Sequence, residues 1–140
     1  MTIKEVCKKY GITADTLRYY ERVGVIPAVK RTPGGIREYD EEALRWVESA
    51  IFMRNSGVPI DALIEYVKLF QQGDGTFRAR KELLEAVRAE VQAKLDDYRE
   101  ALRRLDYKIS RYDEAVRTGV LTWNKAELSG EDAESTEKAI

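Results

Sequence analysis

The chain contains no histidine and only one cysteine, Cys7. A lone thiol cannot close an internal disulfide, which excludes a small secreted scaffold held by cross-links. The absence of histidine excludes His-based zinc sites and Ser-His-Asp or Cys-His catalysis. No apolar run approaches the roughly 18 residues of a membrane span, and Met1-Thr2-Ile3-Lys4-Glu5 lacks the apolar stretch of a signal peptide. The expectation is a soluble, cytoplasmic protein with no membrane partner. Charge of either sign is not in excess: 24 Lys+Arg face 25 Asp+Glu, for a net charge of -1. Any case for nucleic acid therefore rests on where the charges sit. A length of 140 residues, 44% of them hydrophobic, suits one domain or a small domain with an extension.

The charges are unevenly spread. Residues 1–57 carry 10 basic and 8 acidic residues, whereas residues 121–140 carry 2 basic and 5 acidic. The stretch from Asn124 to Ile140 has few large apolar residues and cannot offset its ordering entropy, so residues 119–140 are expected to form an acidic, mostly disordered tail.

Turn signals punctuate the first half. Thr2 caps a short helix through Tyr10, with Ile3 and Val6 on its inner face, and Gly11 stops it. Thr13 caps a second helix, Ala14 to Val23, closed by Gly24. This pair forms a helix-turn-helix pattern. Val25 to Tyr39 contains Pro27, Pro33, Gly34 and Gly35, with basic residues before and after the turn, and predicts a short β-hairpin, or wing. Asp40 caps a third helix, Glu41 to about Ser56, stopped by Gly57; Pro59 opens a fourth, Ile60 to about Gln72.

From Thr76 to about Thr118 there is neither glycine nor proline. Leu84, Val87, Val91, Leu95, Tyr98, Leu102, Leu105, Ile109, Tyr112 and Val116 recur at steps of 3 and 4, a coiled-coil stripe with one stutter at Val91–Leu95. One helix cannot bury such a seam, and at ~1.5 Å per residue it outruns the N-terminal domain. A second copy of the chain is the economical partner. The expected layout is thus mainly α: residues 1–75 as a winged helix-turn-helix domain with a helical second wing, residues 76–118 as a dimerisation helix, then the tail.

The most informative run is Thr13-Ala14-Asp15-Thr16-Leu17-Arg18-Tyr19-Tyr20-Glu21. Leu17 and Tyr20 face inward, Thr16 and Tyr19 share another face, and Arg18 projects from the flank between. Thr and Tyr hydroxyls suit phosphates, and an Arg fork reaches a phosphate or a guanine edge. Lys30, Arg31 and Arg37 on the wing would add phosphate contacts. Each charge alone is as well explained by a solvated surface; only the set points to double-stranded DNA. There is no Gly-rich phosphate loop and no acid cluster with metal spacing, Asp96-Asp97 lies off the stripe, and Glu41-Glu42 suits a helix N-terminus. An enzyme, a cofactor and a metal site are not expected.

Thr16-Leu17-Arg18-Tyr19-Tyr20-Glu21-Arg22-Val23-Gly24, followed by Gly35-Ile36-Arg37-Glu38-Tyr39-Asp40, resembles the MerR family of bacterial transcription regulators over residues 1 to about 118. The resemblance implies a homodimer joined by an antiparallel coiled coil. It also implies binding to a pseudo-palindromic promoter and activation of RNA polymerase by bending and untwisting an over-long -35/-10 spacer. It implies DNA contacts by Thr13, Thr16, Arg18, Tyr19, Lys30, Arg31, Arg37, Tyr39 and Arg54. Tyr19-Tyr20-Glu21-Arg22-Val23-Gly24, Asn55-Ser56-Gly57 and the run Leu63 to Phe70 are most similar to the branch that senses aldehydes or thiol stress. That branch has a reactive Cys in a Cys-Met-Arg motif on the third helix, where this chain has Phe52-Met53-Arg54.

Phe52, expected to pack between the third and fourth helices near the partner's long helix, either lines an apolar effector pocket or locks the dimer in one state. Cys7 is expected to be buried as a small hydrophobe. No effector is assigned. Two other readings stay open: a coiled-coil module whose N-terminal domain binds protein, and a ligand-independent DNA-architectural or repressor protein.

Overall fold

The computed structural model describes residues 1–124. Five helices follow one another: α1 (Ile3–Tyr10), α2 (Ala14–Val23), α3 (Glu41–Asn55), α4 (Ile60–Gln71) and α5 (Phe77–Thr118), with a 3-10 turn, Asp74–Thr76, before the last. Local chemistry sets the boundaries. The Thr2 hydroxyl accepts from Glu5 N while the Glu5 carboxylate accepts from Thr2 N, a reciprocal cap that satisfies two orphan donors. Thr13 caps α2 and Asp40 caps α3 one way only, each side chain accepting from the backbone N–H three residues on, Thr16 N and Ala43 N. Gly24 ends α2 at φ 89°, a left-handed conformation that a side chain would strain.

The chain divides into two compact units, Met1–Lys94 and the residues from Leu95 on. In the first, Val6, Leu17, Tyr20, Val25, Ile26, Val29, Tyr39, Val47 and Ala50 form one core, against which Ile3, Ile60, Leu63 and Ile64 pack. The inward faces predicted for α1 and α2 hold: Val6 and Leu17 are fully buried.

The expected wing hairpin is reduced to a single antiparallel bridge, Arg31 with Arg37. Thr32 N donates to Ile36 O (2.8 Å), Glu38 N donates to Lys30 O (2.7 Å), and Gly35, at φ 82°, turns the chain. The arms are short and Pro27 and Pro33 lack an N–H, so a longer ladder cannot form.

Arg80 organises the elbow between α4 and α5. Its guanidinium donates to Gly73 O (2.7 Å), Phe70 O (3.4 Å) and the Thr76 hydroxyl (2.9 Å), and lies 5.2 Å and 5.0 Å from the ring centroids of Phe70 and Phe77. It thereby satisfies carbonyls that the end of α4 leaves without helical partners.

In the second unit, the tail does not begin at residue 119 as the composition suggests. Gly119 (φ 78°) reverses the chain, and residues 119–124 lie back along α5. Trp123 packs between Tyr107 and Tyr112, at centroid distances of 5.9 Å and 6.0 Å. Arg111 donates to Thr122 O (2.7 Å) and the Thr122 hydroxyl (2.8 Å), and the Tyr107 hydroxyl bonds the Asn124 backbone. One large aromatic supplies the buried area that the composition of the segment as a whole hides. The rest of the expected tail, residues 125–140, lies outside the described residues.

Candidate nucleic-acid interface

The helix-turn-helix places α2 on the surface with its flank exposed. Thr13 sits at the N-cap, its hydroxyl accepting from Thr16 N (3.1 Å) and sharing a hydrogen bond with the Thr16 hydroxyl (2.8 Å). Both hydroxyls are thus oriented by the cap, that of Thr13 with two interactions already made and that of Thr16 with one. Arg18, half-exposed, reaches Asp15 at 3.2 Å across one helical turn. Tyr19 is 39% exposed, and the Arg22 guanidinium stands 5.4 Å from its ring centroid. Pairs of this kind at the surface are weak and easily exchanged for another anion.

The wing carries the next group. Lys30 pairs with Asp40 at 2.7 Å; that hydrogen bond raises the Lys30 pKa and lowers that of Asp40. The Arg31 guanidinium donates to Gly35 O at 2.9 Å and is exposed beside the turn. Arg37 is different. Its Nε donates to Glu21 Oε1 at 2.6 Å, with both side chains largely buried (23% and 13% exposed). The other Glu21 oxygen accepts from Val29 N at 2.7 Å. One carboxylate at the end of the second helix therefore holds both ends of the wing. Burial pushes the Glu21 pKa up, but the Arg37 hydrogen bond, the Val29 N–H and the charges of Arg37 and Arg31 outweigh it, so the net shift is downward.

Two expected positions fall elsewhere. Tyr39 is 1% exposed, part of the core, with its hydroxyl shielded and without a hydrogen-bond partner. A ring in that position stabilises the wing base by its apolar area and offers no surface for a phosphate. Phe52 does not pack between α3 and α4; it is 67% exposed on the outer face of α3. The side chains that fill the space beneath α3 are Val47 and Ala50, four and seven residues after Ala43 on the opposite face. Arg54 caps the α3–α4 turn by donating to Val58 O (2.8 Å) while the residue stays exposed. Cys7 is part-buried against the core.

Thr13, Thr16, Arg18 and Tyr19 are brought together on α2, with Arg31 and Lys30 on the adjoining wing. Glu21 was not singled out from sequence for a role, because its partners, Arg37 and Val29, lie 16 and 8 residues away with no periodicity to mark them. Among the described residues there is no group of His, Cys, Asp and Glu able to hold a metal ion, and no helix long and apolar enough to cross a membrane.

Comparison with known proteins agrees with this geometry. The family described as MerR HTH family regulatory protein matches residues 1–69. The chain is 58% identical over 84 residues to the HTH-type transcriptional regulator AdhR of Bacillus subtilis, a match spanning 60% of each protein. A crystal structure from Listeria monocytogenes, assigned to the MerR family of transcriptional regulators, superposes with a TM-score of 0.82 at 39% identity, over 99% of this chain and 98% of that one. HiNmlR, a MerR family regulator lacking the sensor domain and solved bound to promoter DNA, superposes with a TM-score of 0.73 at 28% identity, over 84% of this chain and 94% of that one. These relatives are regulators and not enzymes. The chain belongs to the MerR family of helix-turn-helix transcription regulators.

Proposed function

We propose that the protein works as a homodimer on double-stranded promoter DNA, binding a pseudo-palindrome and activating RNA polymerase by bending and untwisting an over-long -35/-10 spacer. The observation that carries this reading is the apolar stripe of α5, exposed at every position except the half-buried Val87: Tyr98 is 70% exposed, Leu102 59%, Ile109 57% and Val116 87%. Each such side chain gains about 1.5–3 kcal/mol on full burial, so the seam drives association of two copies. Two copies present two α2 helices, as a pseudo-palindrome requires. Arg18 and Tyr19 on α2, with Thr13 and Thr16 at its start and Lys30 and Arg31 on the wing, face the DNA; Arg37, largely buried against Glu21, holds the wing in place and offers a phosphate only its remaining guanidinium edge, and Arg54 adds a phosphate contact from α3. The residues of the seam are Leu84, Val87, Val91, Leu95, Tyr98, Leu102, Leu105, Ile109, Tyr112 and Val116.

Regulation through a thiol on α3 is not part of this reading, since Phe52 holds the position of the reactive Cys in the branch that the sequence resembles. The test is a gel shift with the chain's own upstream DNA at several salt concentrations. Affinity should fall steeply with salt as bound counterions are released. Arg18→Ala should cost about 1–3 kcal/mol if Arg18 reads a base edge, or reduce the salt slope by about one if it neutralises a phosphate. Unchanged binding in Arg18→Ala, Tyr19→Ala and Arg37→Ala alike would remove α2 and the wing as the interface.

A further inference from the structure

The first turn of α2 carries a charge of the wrong sign for a phosphate. Asp15 stands there with its side chain 96% exposed, beside the cation Arg18. Its Oδ1 accepts from Arg18 Nη1 at 3.2 Å, and its other oxygen has no partner among the described residues. The helix does not need this carboxylate as a cap, because the Thr13 hydroxyl already accepts from Thr16 N.

Helical phase fixes where Asp15 lies. At about 100° per residue, Asp15, Arg18, Tyr19 and Arg22 share one arc of α2. All four are exposed, whereas Leu17 and Tyr20, on the opposite side, are buried in the core. Asp15 occupies the N-terminal end of that outer face, the part of a recognition helix that reaches base edges. Any docking that brings Arg18 and Tyr19 to the duplex therefore brings Asp15 with them. An ionised carboxylate offers acceptors only and is repelled by phosphate. The donors in the major groove are the amino groups of cytosine and adenine, and that of adenine stands beside the N7 acceptor, which also repels a carboxylate. Cytosine N4 has no such neighbour.

We propose that Asp15 is a specificity-determining residue that accepts a hydrogen bond from the N4 amino group of one cytosine in each half-site. The inference rests on the α2 interface of the preceding section and names the base that one position of it selects. Arg18 steadies the carboxylate across one helical turn and keeps the rest of its guanidinium for a guanine edge or a phosphate. Where the cytosine is missing, the carboxylate is left unmet against the duplex and weakens binding. Asp15 thus discriminates by penalising other sequences as well as by favouring one.

The test compares the whole native chain with Asp15→Ala, Asp15→Asn and Arg18→Ala in gel shifts at one salt concentration. The duplexes are made from the chain's own upstream DNA, with each base pair of the bound site varied in turn. The native chain should favour cytosine at one position of each half-site by about 5–150-fold over other bases. Asp15→Ala should bring that preference close to unity, leave preferences at other positions standing, and tighten binding to duplexes that lack the cytosine. Asp15→Asn should move the preference to adenine, whose N6 and N7 match an amide. Because Asp15 is exposed and Thr13 supplies the cap, both variants should keep α2, as circular dichroism will check. If Asp15→Ala tightens binding to every duplex alike, or removes a preference for a base other than cytosine, the assignment is overturned while α2 stays on the DNA. No base preference in the native chain, together with unchanged binding by Arg18→Ala, overturns the α2 interface and the assignment with it.

Discussion

Glu21 offers a quantitative test of how the wing is held. Its carboxylate accepts from Arg37 Nε at 2.6 Å and from Val29 N at 2.7 Å, and its side chain is 13% exposed. Glu21→Ala leaves the Val29 N–H, at a residue 7% exposed, without an acceptor. Arg37, 23% exposed, can turn partly to water and recover some of its loss. With hydrogen bonds to a charged group at about 1.5–3 kcal/mol and an orphaned buried donor at about 1–3 kcal/mol, the net destabilisation is about 2–4 kcal/mol. Against a total stability of roughly 5–15 kcal/mol this is readily measured by urea unfolding followed by circular dichroism.

The pH dependence has a definite sign. Because folding lowers the Glu21 pKa, its contribution is fully present above the unfolded carboxyl value of about 4.3 and is lost as pH falls through the lower folded value. The difference between the native chain and Glu21→Ala should therefore shrink on acidification below about pH 4. Glu21→Gln keeps an acceptor for Val29 without the charge and should fall between the two. A loss under about 0.5 kcal/mol at neutral pH, the range of ordinary surface substitutions, or a difference that persists in acid, would refute the bracket.

Other consequences follow from the same structure. Arg80→Ala removes three hydrogen bonds and two ring contacts at the α4–α5 elbow, so amide exchange should accelerate at residues 73–80 and not in α1 or α2; Arg80→Lys, lacking the planar fork, should not restore protection. Leu102→Lys with Ile109→Lys places charges in the proposed seam at a cost of several kcal/mol, and should give a monomer in sedimentation whose helix content is retained. Cys7→Ser should leave any transcriptional response to aldehydes or diamide unchanged, since Cys7 is part-buried on α1; a response abolished by this substitution would make Cys7 the sensor.

Much of the fold was legible because its signals are local. Thr2, Thr13 and Asp40 announce helix starts through their own side chains, and Gly24 announces a stop by its conformation. The α5 stripe was legible because period 3.5 persists over ten positions. What the sequence hid depends on distant partners. Tyr39 stands two residues from Arg37 in a basic, turn-rich stretch that reads as surface, yet the reversal at Gly35 folds its ring into the core that Val6 and Leu17 share. The Glu21–Arg37 pair exists only because that same reversal brings the wing against α2. Phe52 reads as core by hydropathy, but the helical phase set by Val47 and Ala50 turns it outward. Trp123 sits in a polar run whose average hides one residue that finds two tyrosines on the preceding helix.

The proposed dimer would activate transcription by correcting the geometry of its promoter. The most direct measurement is transcription in vitro from the chain's own upstream promoter, with RNA polymerase, on two templates that differ only in spacer length. On the native template, with its over-long spacer, added protein should raise transcript yield. On a template whose spacer is shortened to the polymerase's preferred length, basal yield should be high and added protein should raise it no further. Equal activation on both templates would show that the protein does not act through spacer geometry.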